Sequence, residues 1–316
     1  MKVFRALHPA ARKLTSGSVL AIGIFDGFHR GHQKIIHSVV GEARKAGRRA
    51  GVLTFYPHPE TLLNHRPLPH IQTLEQRLSS LSSAGLDYCL IISLDADISS
   101  LTGEEFARNI LAEKLHVSQV VVGENFRFGH RRLSSASDLK NFGQKFGFQV
   151  RVLKRVIYRG MPVSSSLVRK LLLAGKIKQA NMLLGHPYEI TGRVIKGRKI
   201  GRQLGFPTAN LKTENEILPT GVFLALTFHR GNWWPSLVNI GFRPTFDTRQ
   251  LSVEALLIDF SEDLYGQALR VRLLDKLRQE KKFKSAEALK EQIAEDVKRA
   301  KQFFKKHRTR PEPPTA

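Results

Sequence analysis

The feature that most constrains this chain is a change of rhythm at Gly185. Before it, apolar runs of β type alternate with helical patterns, the order that a parallel sheet with crossover helices requires. VLAIGIF, GVLTFY, YCLIISL, QVVVG and FQVRVL read as strands. HQKIIHSVVGEARKAG, LEQRLSSLSSAG, GEEFARNILAEKL and SASDLKNFGQKFG read as helices between them. SSSLVRKLLLAGKIKQANMLLG then gives one or two helices with a break at Gly175. After Gly185 come YEITGRVI, GVFLALTF, PSLVNIG, LSVEALLIDF and QALRVRLL, separated by Gly, Pro, Asn and Asp with no long helix between them. That pattern argues a small antiparallel barrel or sandwich. SAEALKEQIAEDVKRAKQFF closes it as an amphipathic helix with Ser285 at the N-cap; Ala288 stands where a capping box needs Glu, so the box is incomplete. The expected architecture is α/β: a Rossmann-like domain over 1–185, a small antiparallel β-barrel with a C-terminal helix over 186–305, and a disordered basic tail over 306–316.

The chain has 316 residues, about two domains at ~150 residues each. No apolar run reaches the ~20 residues of a membrane helix, and the N-terminus carries no secretory pattern. Cys89 is the one cysteine and sits inside YCLIISL, which reads as a core thiol in a cytoplasmic protein without disulfides. The formal charge of +24 suits a nucleic-acid binder. Its excess is spread, however: 27 Lys/Arg against 12 Asp/Glu over 1–185, and 24 against 15 over 186–316. The basic clusters lack the interleaved aromatics of a single-strand platform. A generally basic surface that draws small anionic substrates is the preferred reading, and an RNA-binding protein on the same scaffold is the rival from another class. Trp233 and Trp234, in the turn-like GNWWP, read as packing residues.

GIFDGFHRGHQKII directly follows the first expected strand and opens the first expected helix. That is where a doubly wound sheet holds phosphates, beside free N–H groups and the positive end of a helix. His29 and His32 are three apart, so a turn could aim both imidazoles at the charge that develops during nucleotidyl transfer. Gly23, Gly27 and Gly31 permit close backbone approach. Two histidines alone are more often ordinary helix-start residues, but strand, HxGH and helix in this order point to a nucleotidyltransferase. No third ligand stands at zinc-site spacing.

In the second half, Gly197–Gly205 is a glycine- and lysine/arginine-rich stretch that can fold over phosphates. Thr208 and Asn210 are two apart and share a face if extended; their oxygens are hard ligands suited to Mg²⁺ held jointly with ATP. Glu254 interrupts the apolar run LSVEALLI, either as a solvated edge residue or as the carboxylate that takes a hydroxyl proton in phosphoryl transfer. No GxxxxGK[ST] is present, which argues against a P-loop kinase.

GIFDGFHRGH, TFYPHPE, VVGENFRFG and VSSSLVRKLL, followed by GFPTANL, LPTGVF, VNIGFRPTF, SVEALLIDF, DLYGQ and LRQEKKF, resemble the bifunctional riboflavin kinase/FMN adenylyltransferase family from about Val19 to Phe304. The resemblance implies two ATP-consuming reactions, riboflavin to FMN and FMN to FAD, both with Mg²⁺. It assigns His29 and His32 to adenylyl transfer and Glu254 to the kinase as base. It places Gly23, Phe25, Asp26, Ser164, Ser165, Arg169, Gly197 and Gly201 at ATP and its phosphates. Asn125, Arg278 and Phe283 fall to the flavins, Thr208 and Asn210 to the metal, and His58 and Pro59 to a neighbouring loop. The sequence departs from the family at Ile24, Asn125, Ser166 and Leu256, and HRRLSSASDL keeps the basic residues after FRFG but lacks the glycine that usually follows them. A related HxGH enzyme acting on pantetheine phosphate or nicotinamide mononucleotide is the nearer rival.

Overall fold

The computed structural model describes residues 1–5, 12–57, 68–93, 95–197, 200–242 and 251–307. His58, Pro59 and the tail beyond 307 lie outside them. The chain divides into two compact units.

The first unit holds Met1–Pro69 and Leu74–Ser164. Six parallel strands, β1 (Lys2–Arg5), β2 (Val19–Ile22), β3 (Ala50–Phe55), β4 (Tyr88–Ile92), β5 (Gln119–Gly123) and β6 (Gln149–Leu153), lie in the order β1-β4-β3-β2-β5-β6. Helices α1 (Arg30–Lys45), α2 (Leu74–Ser83) and α3 (Ala136–Phe146) provide long crossovers. β2 is buried on both faces: Leu20 and Ile22 enter one core, Val19 and Ala21 the other. This explains why the central strands read as continuous apolar runs without alternation. Gly51 pairs with Tyr88 in register, and a Cβ on Gly51 would stand 2.0 Å from the tyrosine Cζ. The glycine gives the buried ring its place, and the hydroxyl is tied to Ser18 Oγ at 2.7 Å. Cys89 is fully buried, and burial pushes its thiol up to about 12, so it is the inert core thiol expected.

Some local forms in this unit differ from the sequence reading. The helix expected over GEEFARNILAEKL is α-helical only at Gly103–Glu105 and continues as a π-helix over Phe106–Lys114. β1 was not expected, since four residues with exposed or half-exposed side chains carry little pattern.

The second unit holds His70–Thr73 and the residues from Ser165 onward. α4 (Ser165–Leu173) and α5 (Ile177–Leu184) are separated at Gly175, whose φ of +68° ends the first of them. They count with this unit because α5 docks on the strands that follow: Asn181 Nδ2 donates to Leu273 O at 2.8 Å and its Oδ1 accepts from Tyr188 N at 2.8 Å. β7 (Tyr188–Ile195), β8 (Ala209–Thr213), β9 (Gly221–His229), β10 (Asn232–Phe242), β11 (Leu251–Leu257) and β12 (Ala268–Arg278) form a closed antiparallel barrel ordered β7-β8-β11-β10-β9-β12. Closure removes the exposed edges of an open sheet. Trp233 and Trp234 lie in β10, not in the turn; the hairpin turn is Arg230–Gly231, both at positive φ as a two-residue hairpin prefers. The tryptophans do pack, Trp233 under the Arg272 guanidinium at 4.1 Å and Trp234 edge-on to Phe260. α6 (Ala286–His307) starts at Ser285, whose Oγ accepts from Ala288 N at 3.2 Å.

Candidate active sites

In the first unit the strand order reverses between β2 and β5, because β3, β4 and β1 lie to one side of β2 and β5 and β6 to the other. Open parallel sheets bind ligands at such a switch point, outside the carboxyl ends of the strands. The loop 23–29 leaves β2 at that point, and Asn125 follows β5 there. Phe25, Gly27 and Phe28 all have positive φ, at 57°, 82° and 38°. Such backbone costs of order 1–3 kcal/mol at each non-glycine and is retained where the surroundings fix it. Here Phe25 and Asp26 are each about 1% exposed and lock the loop. A Cβ on Gly23 would stand 3.1 Å from the Phe25 ring, so that glycine admits the aromatic.

His29 is the N-cap of α1: its Nδ1 accepts from the His32 backbone N–H at 3.2 Å. A ring nitrogen that accepts cannot carry the proton, so in the neutral ring the hydrogen sits on Nε2, which is left as a donor. His32 stacks on His29 with centroids 3.6 Å apart and meets Phe25 edge-on at 5.2 Å. Burial, reinforced by His29 and by Arg77, holds His32 well below the ordinary histidine range, so it is neutral at pH 7. A neutral His32 stacked on His29 at a helix N-terminus can donate to phosphate oxygens without first taking up a proton. A Cβ on Gly31 would come within 3.1 Å of the His29 ring and 3.9 Å of Val163 O, so the chain entering Ser164 passes this turn.

Asn125 is exposed at the end of β5, its Oδ1 accepting from Arg155 Nη2 at 3.3 Å; Arg155 also pairs with Glu124 at 2.7 Å. Arg155 and the fully buried Arg77, 3.9 Å from Asp26, were not singled out from the sequence. Neither carries a motif signal, as each follows from which strand ends lie together. Ser164 belongs to this unit, whereas Ser165 and the buried Arg169 lie on α4 in the second.

In the second unit the expected residues converge on one cavity of about 420 Å³ lined by Gly201, Thr208, Asn210, Glu254, Arg278 and Phe283, among others. β8 carries Asn210 directly opposite Glu254 of β11, and Glu254 faces Asn239 of β10. Two glycines of the preceding stretch approach Asn210 and Thr208. A Cβ on Gly197 would lie 2.3 Å from Asn210 Nδ2, and one on Gly201 3.2 Å from Thr208 Oγ1. Close approach of backbone to these two side chains is therefore what the glycines allow. Leu256, at the position of a family departure, is 8% exposed and packs with Leu224, Leu237 and α6. Asp296 of α6, also in the wall, was not expected as a site residue because it falls on the helix's inward stripe.

A strand–HxGH–helix unit at a sheet switch point, and a closed barrel whose cavity gathers Thr208, Asn210 and Glu254 among apolar side chains, together define a chain that combines a nucleotidyltransferase-type domain with a kinase-type barrel. The FAD synthetase family matches residues 11–167 and the riboflavin kinase family residues 184–304. Curated relatives named bifunctional riboflavin kinase/FMN adenylyltransferase include those of Buchnera aphidicola from Schizaphis graminum, Escherichia coli K12 and Pseudomonas fluorescens. They are 36%, 36% and 37% identical, over 96%, 96% and 95% of this chain and 99%, 98% and 97% of theirs. A solved Streptococcus pneumoniae structure described as a macrolide-efflux protein shares the fold with a TM-score of 0.87 at 28% identity, over 95% of this chain and 99% of that one. Among the described residues no helix is long and apolar enough to cross a membrane. The chain belongs to the bifunctional riboflavin kinase/FMN adenylyltransferase family.

Proposed function

We propose that this chain makes FMN and then FAD, with the kinase in segment 186–305 and the adenylyltransferase in segment 1–185. The observation that carries the reading is the family match across both segments. In the barrel, a terminal ribityl hydroxyl of riboflavin attacks the γ-phosphorus of ATP. Its proton passes to Glu254 as the β–γ bridging bond breaks and ADP leaves. Thr208 and Asn210 offer two neutral hard oxygens, a set that fits Mg²⁺ shared with ATP phosphates. When bound, that ion would offset phosphate charge during transfer. Gly197 and Gly201 let the glycine-rich stretch lie against those side chains.

In the sheet domain, a phosphate oxygen of FMN attacks the α-phosphorus of ATP, and the α–β bridging bond breaks to release pyrophosphate. His29 Nε2–H and neutral His32 donate to the phosphate oxygens where charge accumulates, with the N-terminus of α1 adding to the same field. Gly23, Phe25 and Asp26 shape the turn that receives the nucleotide. The family resemblance assigns Ser164, Ser165 and Arg169 to its phosphates and Asn125 to the flavin. The partners are small molecules, for which a broadly basic surface raises the local concentration of anions. The work is cytoplasmic, where ATP is supplied.

The test is to incubate purified chain with riboflavin, ATP and Mg²⁺ and separate the flavins by chromatography. FMN appearing first and FAD after it is the expected result. No conversion, with salt-sensitive retention on RNA, would replace this reading by the nucleic-acid one.

A further inference from the structure

The C-terminal helix brings to the barrel cavity a carboxylate for which the phosphoryl transfer above has no use. Asp296 is 2% exposed and lines that cavity. Arg278, the last residue of β12, holds it side-on: Nε lies 3.0 Å from Oδ1 and 2.8 Å from Oδ2, and Nη2 lies 2.7 Å from Oδ2. Gln292, one helical turn earlier, donates to Oδ1 at 3.0 Å. The remaining arm of the arginine, Nη1, donates to Gln279 O at 3.0 Å. All three guanidinium nitrogens are thus engaged, and the plane of the group is fixed 6.0 Å from the centre of the Phe283 ring.

Anchoring the helix does not require this pair. Ile293, Val297, Phe303 and Phe304 already pack against Leu224, Leu237 and Leu256. A buried ion pair is often no better for stability than an apolar pair of similar size, because two charges must be stripped of water. What the pair supplies, and apolar side chains would not, is a planar cation held at one orientation in the cavity wall. The ATP-side groups, Gly197, Gly201, Thr208 and Asn210, lie on a different part of the chain.

We propose that Asp296 is a positioning residue for the flavin: it acts through Arg278 to preset the wall against which the planar ring system of riboflavin lies. This rests on the kinase reading of the cavity. A rigid wall lowers the ordering needed when the ring arrives, so its loss raises the KM for riboflavin and leaves that for ATP nearly unchanged.

The test measures riboflavin phosphorylation by the full chain while riboflavin and ATP are varied in turn. It uses Asp296→Asn, Arg278→Met, Asp296→Leu and the double variant Arg278→Met/Asp296→Leu. Adenylylation of supplied FMN and the melting temperature report folding. The expected result for Asp296→Asn is a riboflavin KM raised about tenfold with the ATP KM within about twofold. In the double variant the apolar pair restores the melting temperature, while the riboflavin KM stays at the Arg278→Met value because both changes remove one interaction. Three results would overturn the proposal: an unchanged riboflavin KM in folded Asp296→Asn, multiplied effects in the double variant, or a riboflavin KM that recovers along with melting temperature. The last would make the pair a helix anchor. Absence of phosphorylation by the unaltered chain would instead remove the kinase reading, and the positioning role with it.

Discussion

The two sites are built by opposite means. In the sheet domain the reactive groups come from one short stretch, 23–32, and the fold contributes a place to put it: the end of β2 where strand order reverses. In the barrel the groups come from several separate stretches between Gly201 and Asp296, and closure of the barrel brings them together. A contiguous motif is tuned by local backbone, here three positive φ values and an N-cap histidine. A dispersed site is tuned by register, here Asn210 opposite Glu254 opposite Asn239.

The largest expected effect tests the dispersed site. Asn210→Ala removes an oxygen from the pair proposed for Mg²⁺ while leaving a strand residue that the ladder accepts. FMN formation should fall on the order of a hundredfold or more, while adenylylation of supplied FMN persists. Rates of the two half-reactions measured separately would break the contrast if both fell.

Next comes a purely structural perturbation of the first unit. Gly51→Ala would drive a methyl into the Tyr88 ring, which cannot move because its hydroxyl is fixed to Ser18. Overpacking of this kind costs about 1–3 kcal/mol. Calorimetry should show a lower melting temperature for the sheet domain and an unshifted barrel transition. A wild-type profile would mean that the Tyr88 ring has room the structure does not show.

The smallest effect is a pH dependence. His32 is held below its ordinary value by burial, by His29 and by Arg77. The unfolded chain therefore binds a proton at this position below about pH 6.5 that the folded chain refuses. Stability of the sheet domain is fully present above that pH and falls as the pH drops beneath it, by at most about 1.4 kcal/mol per pH unit. His32→Asn should flatten this slope in melting temperatures recorded between pH 7 and 5. The same slope in wild type and variant would show that His32 is not the group responsible.

How much of this was legible in the sequence follows the same contrast. The HxGH stretch announced itself because its chemistry is contiguous, and β2 and α1 flank it as expected. Thr208, Asn210 and Glu254 could be picked out as types, but their convergence depends on β8, a strand that the pattern did not reveal. Ala209–Thr213 offers one buried leucine between polar residues selected for the site. Asp296 was hidden for the reverse reason: a carboxylate at an inward helical position looks like an interruption until Arg278 is seen beneath it. The tryptophans were placed in a turn because Gly231 precedes them, whereas the reversal uses Arg230 and Gly231 alone.

The most direct test of two independent sites is the reciprocal pair His29→Ala and Glu254→Ala, each assayed for riboflavin phosphorylation and for adenylylation of supplied FMN. His29→Ala should lose FAD formation and keep FMN formation, and Glu254→Ala should do the converse. Loss of both activities in either folded variant would contradict two independent sites.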